Sequence, residues 1–119
     1  MARNDIFLVS VNKTPPRAAS LIEEVLAQLQ PRTNITHVAN SASLETLETI
    51  IRAVAKPPGI LICSSQWSID EQKQANNVAQ SIVPGIELIN IPPGLDVREG
   101  GKGIVKFLVN AIQDFVERA

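Results

Sequence analysis

Residues 6–11 are apolar in every position but Ser10, and a run of that length without alternation predicts a strand covered on both faces. Behind it, Thr14 offers an N-cap hydroxyl, and Pro15 takes a first-turn position that does not use its missing amide. Ala18, Leu21, Ile22, Val25, Leu26 and Leu29 then recur at three- and four-residue steps, with Glu23, Glu24 and Gln28 opposite, predicting an amphipathic helix that Pro31 ends. Residues 34–39 predict a shorter strand, whose Asn, Thr and His content places it at a sheet edge. Ser43 caps a second helix that turns Leu44, Leu47, Ile50, Ile51 and Val54 inward, until Pro57, Pro58 and Gly59 stop it.

The same alternation runs through the second half. Residues 60–64 are apolar enough to predict a central strand. Ser68 and Glu71 stand in the S-x-x-E spacing of a capping box, ahead of a helix with a thin stripe of Ala75, Val78, Ala79 and Ile82. Residues 86–91 predict a fourth strand, closed by Pro92, Pro93 and Gly94. A loop through Asp96, Arg98, Gly100 and Gly101 then leads to a last helix over 103–118. That helix carries Ile104, Val105, Phe107, Leu108, Ala111, Ile112, Phe115 and Val116, which occupy more than one face.

A βαβαβαβα succession with connections this short predicts a single α/β domain over 1–119: a three-layer α/β/α sandwich around a four-stranded parallel sheet. With right-handed crossovers and the two most apolar strands inside, the strand order is 2-1-3-4, a flavodoxin-like and receiver-like layout. The first and last helices share one face and the middle two share the other. Ligand sites in such sheets lie beyond the carboxyl ends of the strands where the chain reverses, here between strands one and three. That rule nominates Ser10, Asn12, Lys13, Thr14, Asn40, Ser64, Ser65, Trp67, Asp96, Arg98 and Lys102 as ligand-binding candidates.

Composition narrows the chemistry. Eleven basic and twelve acidic residues give a net charge of -1, and aromatic residues make up 3% of the chain, so neither nucleic acid nor a membrane surface is an expected partner. One cysteine and one histidine leave no soft metal site, so none is expected. Apolar runs too short to span a bilayer, and no signal-like leader, predict a cytoplasmic protein. A receiver domain would need acidic residues after strand one and an aspartate ending strand three; Asn12, Lys13, Cys63 and Ser64 stand there instead. No G-x-G-x-x-G occurs, and Thr14-Pro15-Pro16 removes amides from the first helix start, so no dinucleotide or flavin cofactor is expected. Gly100-Gly101-Lys102-Gly103, with Arg98 nearby, is either an anion site or a flexible helix entry. Cys63 is either a nucleophile or a small buried hydrophobe.

Asp5-Ile6-Phe7-Leu8-Val9-Ser10 resembles the first strand of TIR domains, and Ser65-Gln66-Trp67-Ser68-Ile69-Asp70-Glu71 is similar to the serine, tryptophan and glutamate spacing after their third strand. The resemblance implies a role for Glu71 in splitting NAD. It covers thirteen residues; Ser68 stands where the family has cysteine, and a fifth strand is missing. Taken together, these features predict a non-catalytic interaction or regulatory domain that self-associates or meets a protein partner. Its interface would be the last helix, through Ile104, Phe107, Leu108, Ala111 and Phe115. The alternative is a small-ligand or nucleotide-binding enzyme working from the strand rim, with a small anion as its ligand.

Overall fold

A computed structural model describes residues 5–30 and 33–118. Its elements run β1 (Ile6–Val11), α1 (Pro15–Leu29), β2 (Ile35–Ser41), α2 (Leu47–Ala53), β3 (Ile60–Cys63), α3 (Ile69–Ile82), β4 (Glu87–Asn90) and α4 (Leu95–Arg118). The four strands form one parallel sheet in the order β2-β1-β3-β4. This is the doubly wound order the alternation predicts.

Strand periodicity sorts the core into two layers. Leu8, Ile60, Ile62, Ile89 and Ile91 point to one face and pack against Ile22, Val25 and Leu29 of α1 and Ile104, Leu108 and Ile112 of α4. Val9, Val11, Leu61 and Cys63 point to the other, against Leu47 and Ile51 of α2 and Ala75 and Ala79 of α3. The helices therefore pair across the sheet as the crossovers require.

Local departures from the sequence expectation have local causes. Thr14 precedes α1 but makes no side-chain cap: Pro16 has no amide to offer, and the Arg17 amide donates to the Thr14 carbonyl instead. Its hydroxyl donates instead to Asn12 Oδ1 at 2.8 Å. The stop expected at Pro31 lies outside the described residues. Helix α2 starts at Leu47, four residues beyond Ser43, because the hydroxyls of Ser41, Ser43 and Thr46 bond one another and nearby backbone in a turn. The expected loop before the last helix is itself helical: α4 begins at Leu95 and breaks at Gly100, whose φ of 69° and ψ of -169° only glycine adopts without strain. The Ser68 and Glu71 capping box forms in both directions, at 3.1 and 2.9 Å.

Candidate functional site

The carboxyl rim of β1 and β3 is a tied assembly of three loops. The Lys13 amide donates to Gln66 Oε1 at 2.8 Å, and Gln66 Nε2 donates to Thr14 Oγ1 at 3.3 Å. Gln66 is held in turn by the Ser64 hydroxyl and by its own amide on Ser64 Oγ. Gly94 N donates to the Ser65 carbonyl, which joins the third loop to the second. Across the mouth, Arg17 grips Asp96 with two bonds, Nη2 to Oδ1 at 2.6 Å and Nε to Oδ2 at 3.2 Å.

Beneath that pair lies a narrow crevice. Its mouth is lined by Thr14, Arg17, Ser65, Gln66 and Asp96. Its floor is lined by Ser10, Ala18, Ile22, Ile62 and Leu108, and mouth and floor share Asn12, Leu21, Ser64, Ile91 and Ile104. The floor holds about 20 Å³, room for about one water. Ser10, Asn12, Thr14, Ser64, Ser65 and Asp96 thus converge on one crevice at the switch point.

The other nominated residues go elsewhere. Trp67 is buried in the α2 and α3 layer, with Nε1 donating to the Val11 carbonyl at 2.9 Å, and the Lys13 ammonium sits 4.9 Å above its ring. Arg98 folds back to donate to the Pro93 carbonyl, and Lys102 lines a shallow groove with Glu24 and Gln28 of α1, so the two cations do not meet over the glycine segment. Gln66 falls within the nominated segment after strand three, whereas Arg17, inside the first helix, was not nominated. The sequence places the first and last helices on one face but puts Asp96 in a loop, so nothing in it pairs that acid with Arg17 in the first turn of α1.

Ser10 belongs to a buried polar chain. Asn40 Nδ2 donates to the Asn12 carbonyl, which fixes the amide so that Asn40 Oδ1 accepts from Ser10 Oγ at 2.6 Å. His37 Nε2 lies 2.8 Å from Ser10 Oγ, and which of the two donates follows the ring's tautomer. Burial lowers the pKa of His37, opposed by hydrogen bonding to the Ala39 backbone. The Ser10 proton is committed to Asn40 Oδ1 at 2.6 Å, which holds the hydroxyl away from a role as nucleophile.

Cys63 faces the opposite layer from His37, with Asn76 Oδ1 as its nearest polar partner at 3.8 Å. Burial pushes its thiol up to about 12, far from the thiolate that nucleophilic chemistry needs. Native protein is expected to resist iodoacetamide at pH 8 and to label fully once unfolded in urea; rapid native labelling read by mass spectrometry would contradict this. Glu71 is partly exposed, and its pKa is lowered first by the Ser68 amide it accepts from. It therefore serves the helix start. Among the described residues no group of three or more acidic, histidine or cysteine side chains is arranged to hold a metal, and no helix is long and apolar enough to cross a membrane.

The face of α4 is more occupied than its sequence suggests. Ile104 and Leu108 are 3% and 1% exposed and belong to the core, so neither is available to a partner. Phe107, Ala111 and Phe115 are half-buried and follow one another at four-residue steps. They lie on the flank away from α1, since Val105 and Val109 line the groove toward α1. Arg118 connects that flank to the sheet edge, 2.8 Å from Glu87 of β4 and 5.9 Å from the Phe115 ring. Hydrogen bonding to Glu87 raises its pKa, so the guanidinium keeps its charge.

Set beside protein-family models, curated proteins and solved structures, the chain matches none of them.

Proposed function

We propose that this chain is a non-catalytic interaction module of receiver-like shape that pairs with a second copy of itself along β4 and the adjoining flank of α4. The observation that carries this reading is the open edge of β4. Glu87 N and Ile91 N donate toward β3, so by strand alternation the backbone groups of Leu88 and Asn90 face outward. Beside that edge runs the half-buried stripe of Phe107, Ala111 and Phe115. A two-fold axis beside β4 would pair it with β4 of the partner and set the two stripes against each other, closing an edge that a lone copy leaves unpaired. The rim supplies no activated nucleophile or general base, which favours binding over turnover.

Size-exclusion chromatography with light scattering tests this. The full chain is expected to elute as a dimer at micromolar concentration. Phe107→Lys combined with Phe115→Lys is expected to give a monomer with an unchanged far-ultraviolet spectrum. A wild-type monomer would remove the reading, as would a dimer that survives both substitutions.

The runner-up is an enzyme acting on a small ligand or nucleotide at the rim, in the manner the TIR-like residues imply for NAD. What favours it is the convergence of six nominated residues on one crevice. Glu71 does not line that crevice.

A further inference from the structure

Residues 95–99 form one helical turn held between the two glycines of positive φ, Gly94 at 82° and Gly100 at 69°. No other described residue has such a φ. Segments that swing as units rotate at their ends, and glycine offers the widest rotation at the least steric cost. This short turn carries Asp96, which lines the mouth of the crevice, and Leu95, which packs in the same core layer as the crevice walls Ile91 and Ile104. Leu95 is 7% exposed and belongs to the core layer of α1 and α4. Asp96 closes the mouth through its paired bonds to Arg17. The same turn leaves Val97 92% exposed, so its outer side is attached to nothing that would hold it down.

The latch also reports what the mouth recognises. Arg17 already receives a carboxylate there, in the two-bond geometry that guanidinium and carboxylate prefer. Directly behind it the walls are Leu21, Ile22, Ile62, Ile91, Ile104 and Leu108, with Ser64 and Asn12 near the entrance. An anionic head at Arg17 would therefore continue into an apolar body.

We propose that residues 95–99 are a glycine-hinged lid over a binding cleft for a short, apolar monocarboxylate, whose carboxylate replaces that of Asp96 on Arg17. Binding swings Leu95 and Asp96 outward, and the ligand's hydrocarbon occupies the space that the closed lid reduces to a water-sized void. No bond is made or broken. The site lies at the rim and does not depend on pairing along β4.

Titration calorimetry of the full chain with hexanoate tests the assignment, with acetate, hexanol and inorganic phosphate as comparison probes. Hexanoate is expected to bind saturably and tighter than acetate, and neither hexanol nor phosphate is expected to match it. Asp96→Asn releases Arg17 and should tighten hexanoate by about two- to fivefold, the worth of a part-exposed ion pair. Arg17→Gln should weaken it by about tenfold or more, the worth of a charge-assisted hydrogen bond. Arg17→Lys keeps the charge but not the fork and should also weaken binding. Amide shifts in nuclear magnetic resonance are expected to cluster at Arg17 and residues 94–101. Absence of hexanoate binding in both wild type and Asp96→Asn overturns the proposal, as does binding that Arg17→Gln leaves unchanged or that phosphate equals. Light scattering on the same samples separates the two readings: a monomer that binds hexanoate defeats self-association alone, and a dimer that does not bind it defeats the lid alone.

Discussion

Trp67→Ala is expected to destabilise the protein by about 3–5 kcal/mol, the range for truncating a large buried aromatic. Trp67 is 5% exposed, and two separate losses follow its removal. The α2 and α3 layer loses its largest side chain among Val11, Leu47, Cys63 and Ala75, none of which can grow to fill the gap. The Val11 carbonyl also loses the indole donor at 2.9 Å, at the point where β1 hands over to the rim. Trp67→Phe separates these effects by restoring most of the volume without the N–H, and about 0.5–1.5 kcal/mol is expected, the net worth of one hydrogen bond, since the Val11 carbonyl keeps the Ser64 amide at 3.0 Å. Urea unfolding at matched pH reads both. Glu71→Gln makes the contrast, since an amide completes a capping box as well as a carboxylate does, and its unfolding midpoint should barely move. A midpoint for Trp67→Ala within 1 kcal/mol of wild type, on the order expected of a surface change, would show that Trp67 is not the keystone of that layer.

Gln72→Glu should be nearly as costly at neutral pH and far milder in acid. Gln72 is 4% exposed on the inner face of α3, and its Nε2 donates to the Ile91 carbonyl at 2.8 Å and to the Ser64 carbonyl at 3.2 Å. One amide thereby clamps the carboxyl ends of β3 and β4. A carboxylate there presents oxygen to oxygen in a dry site, and roughly 3–5 kcal/mol is expected at pH 7, the cost of an uncompensated buried charge. Burial raises the folded-state pKa of that new carboxyl above its unfolded value of about 4.3. The penalty for ionisation is therefore absent below about pH 4.3 and grows as pH rises through the folded pKa. Gln72→Leu, with no charge to titrate, should lose about 1–3 kcal/mol with no such pH slope, because the Ile91 carbonyl is left bare while Ser64 keeps the Trp67 amide. Melting temperatures of the two variants from pH 4 to pH 8 distinguish them; parallel curves would rule out a buried carboxylate.

The strand order and the division of the core were legible because they rest on repeated signals. β1 and β3 are short apolar runs, each helix has a three-to-four periodicity, and handedness leaves few ways to join them. What escaped was set by groups distant in sequence. Nothing within residues 92–101 announces a helical turn, because Leu95 is fixed by a core layer assembled from α1 and the strands. Ser43 looks like a cap, yet Ser41 and Thr46 compete for the same hydroxyl bonds and delay the helix. The last helix looked over-supplied with apolar side chains. Ile104, Leu108 and Ile112 answer to the sheet and Val105 and Val109 lie toward α1, so three residues on the outer flank are left. At the rim, the switch-point rule found the crevice but not its latch. Charges so far apart as Arg17 and Asp96 are visible as a pair only once the two helices are placed side by side.

The position of β1 between β2 and β3 has a bearing on how the chain is made. A ribosome releases β1, α1 and β2 first, and those can form a parallel pair with one helix across it. The flank of α1 that meets α4 then waits, uncovered, until residues 95–118 emerge. The β1 edge that will receive β3 waits for residues some fifty positions downstream. Vectorial synthesis therefore favours collapse late over collapse in stages, and the nascent protein passes through a window in which a holdase would find two adhesive surfaces at once.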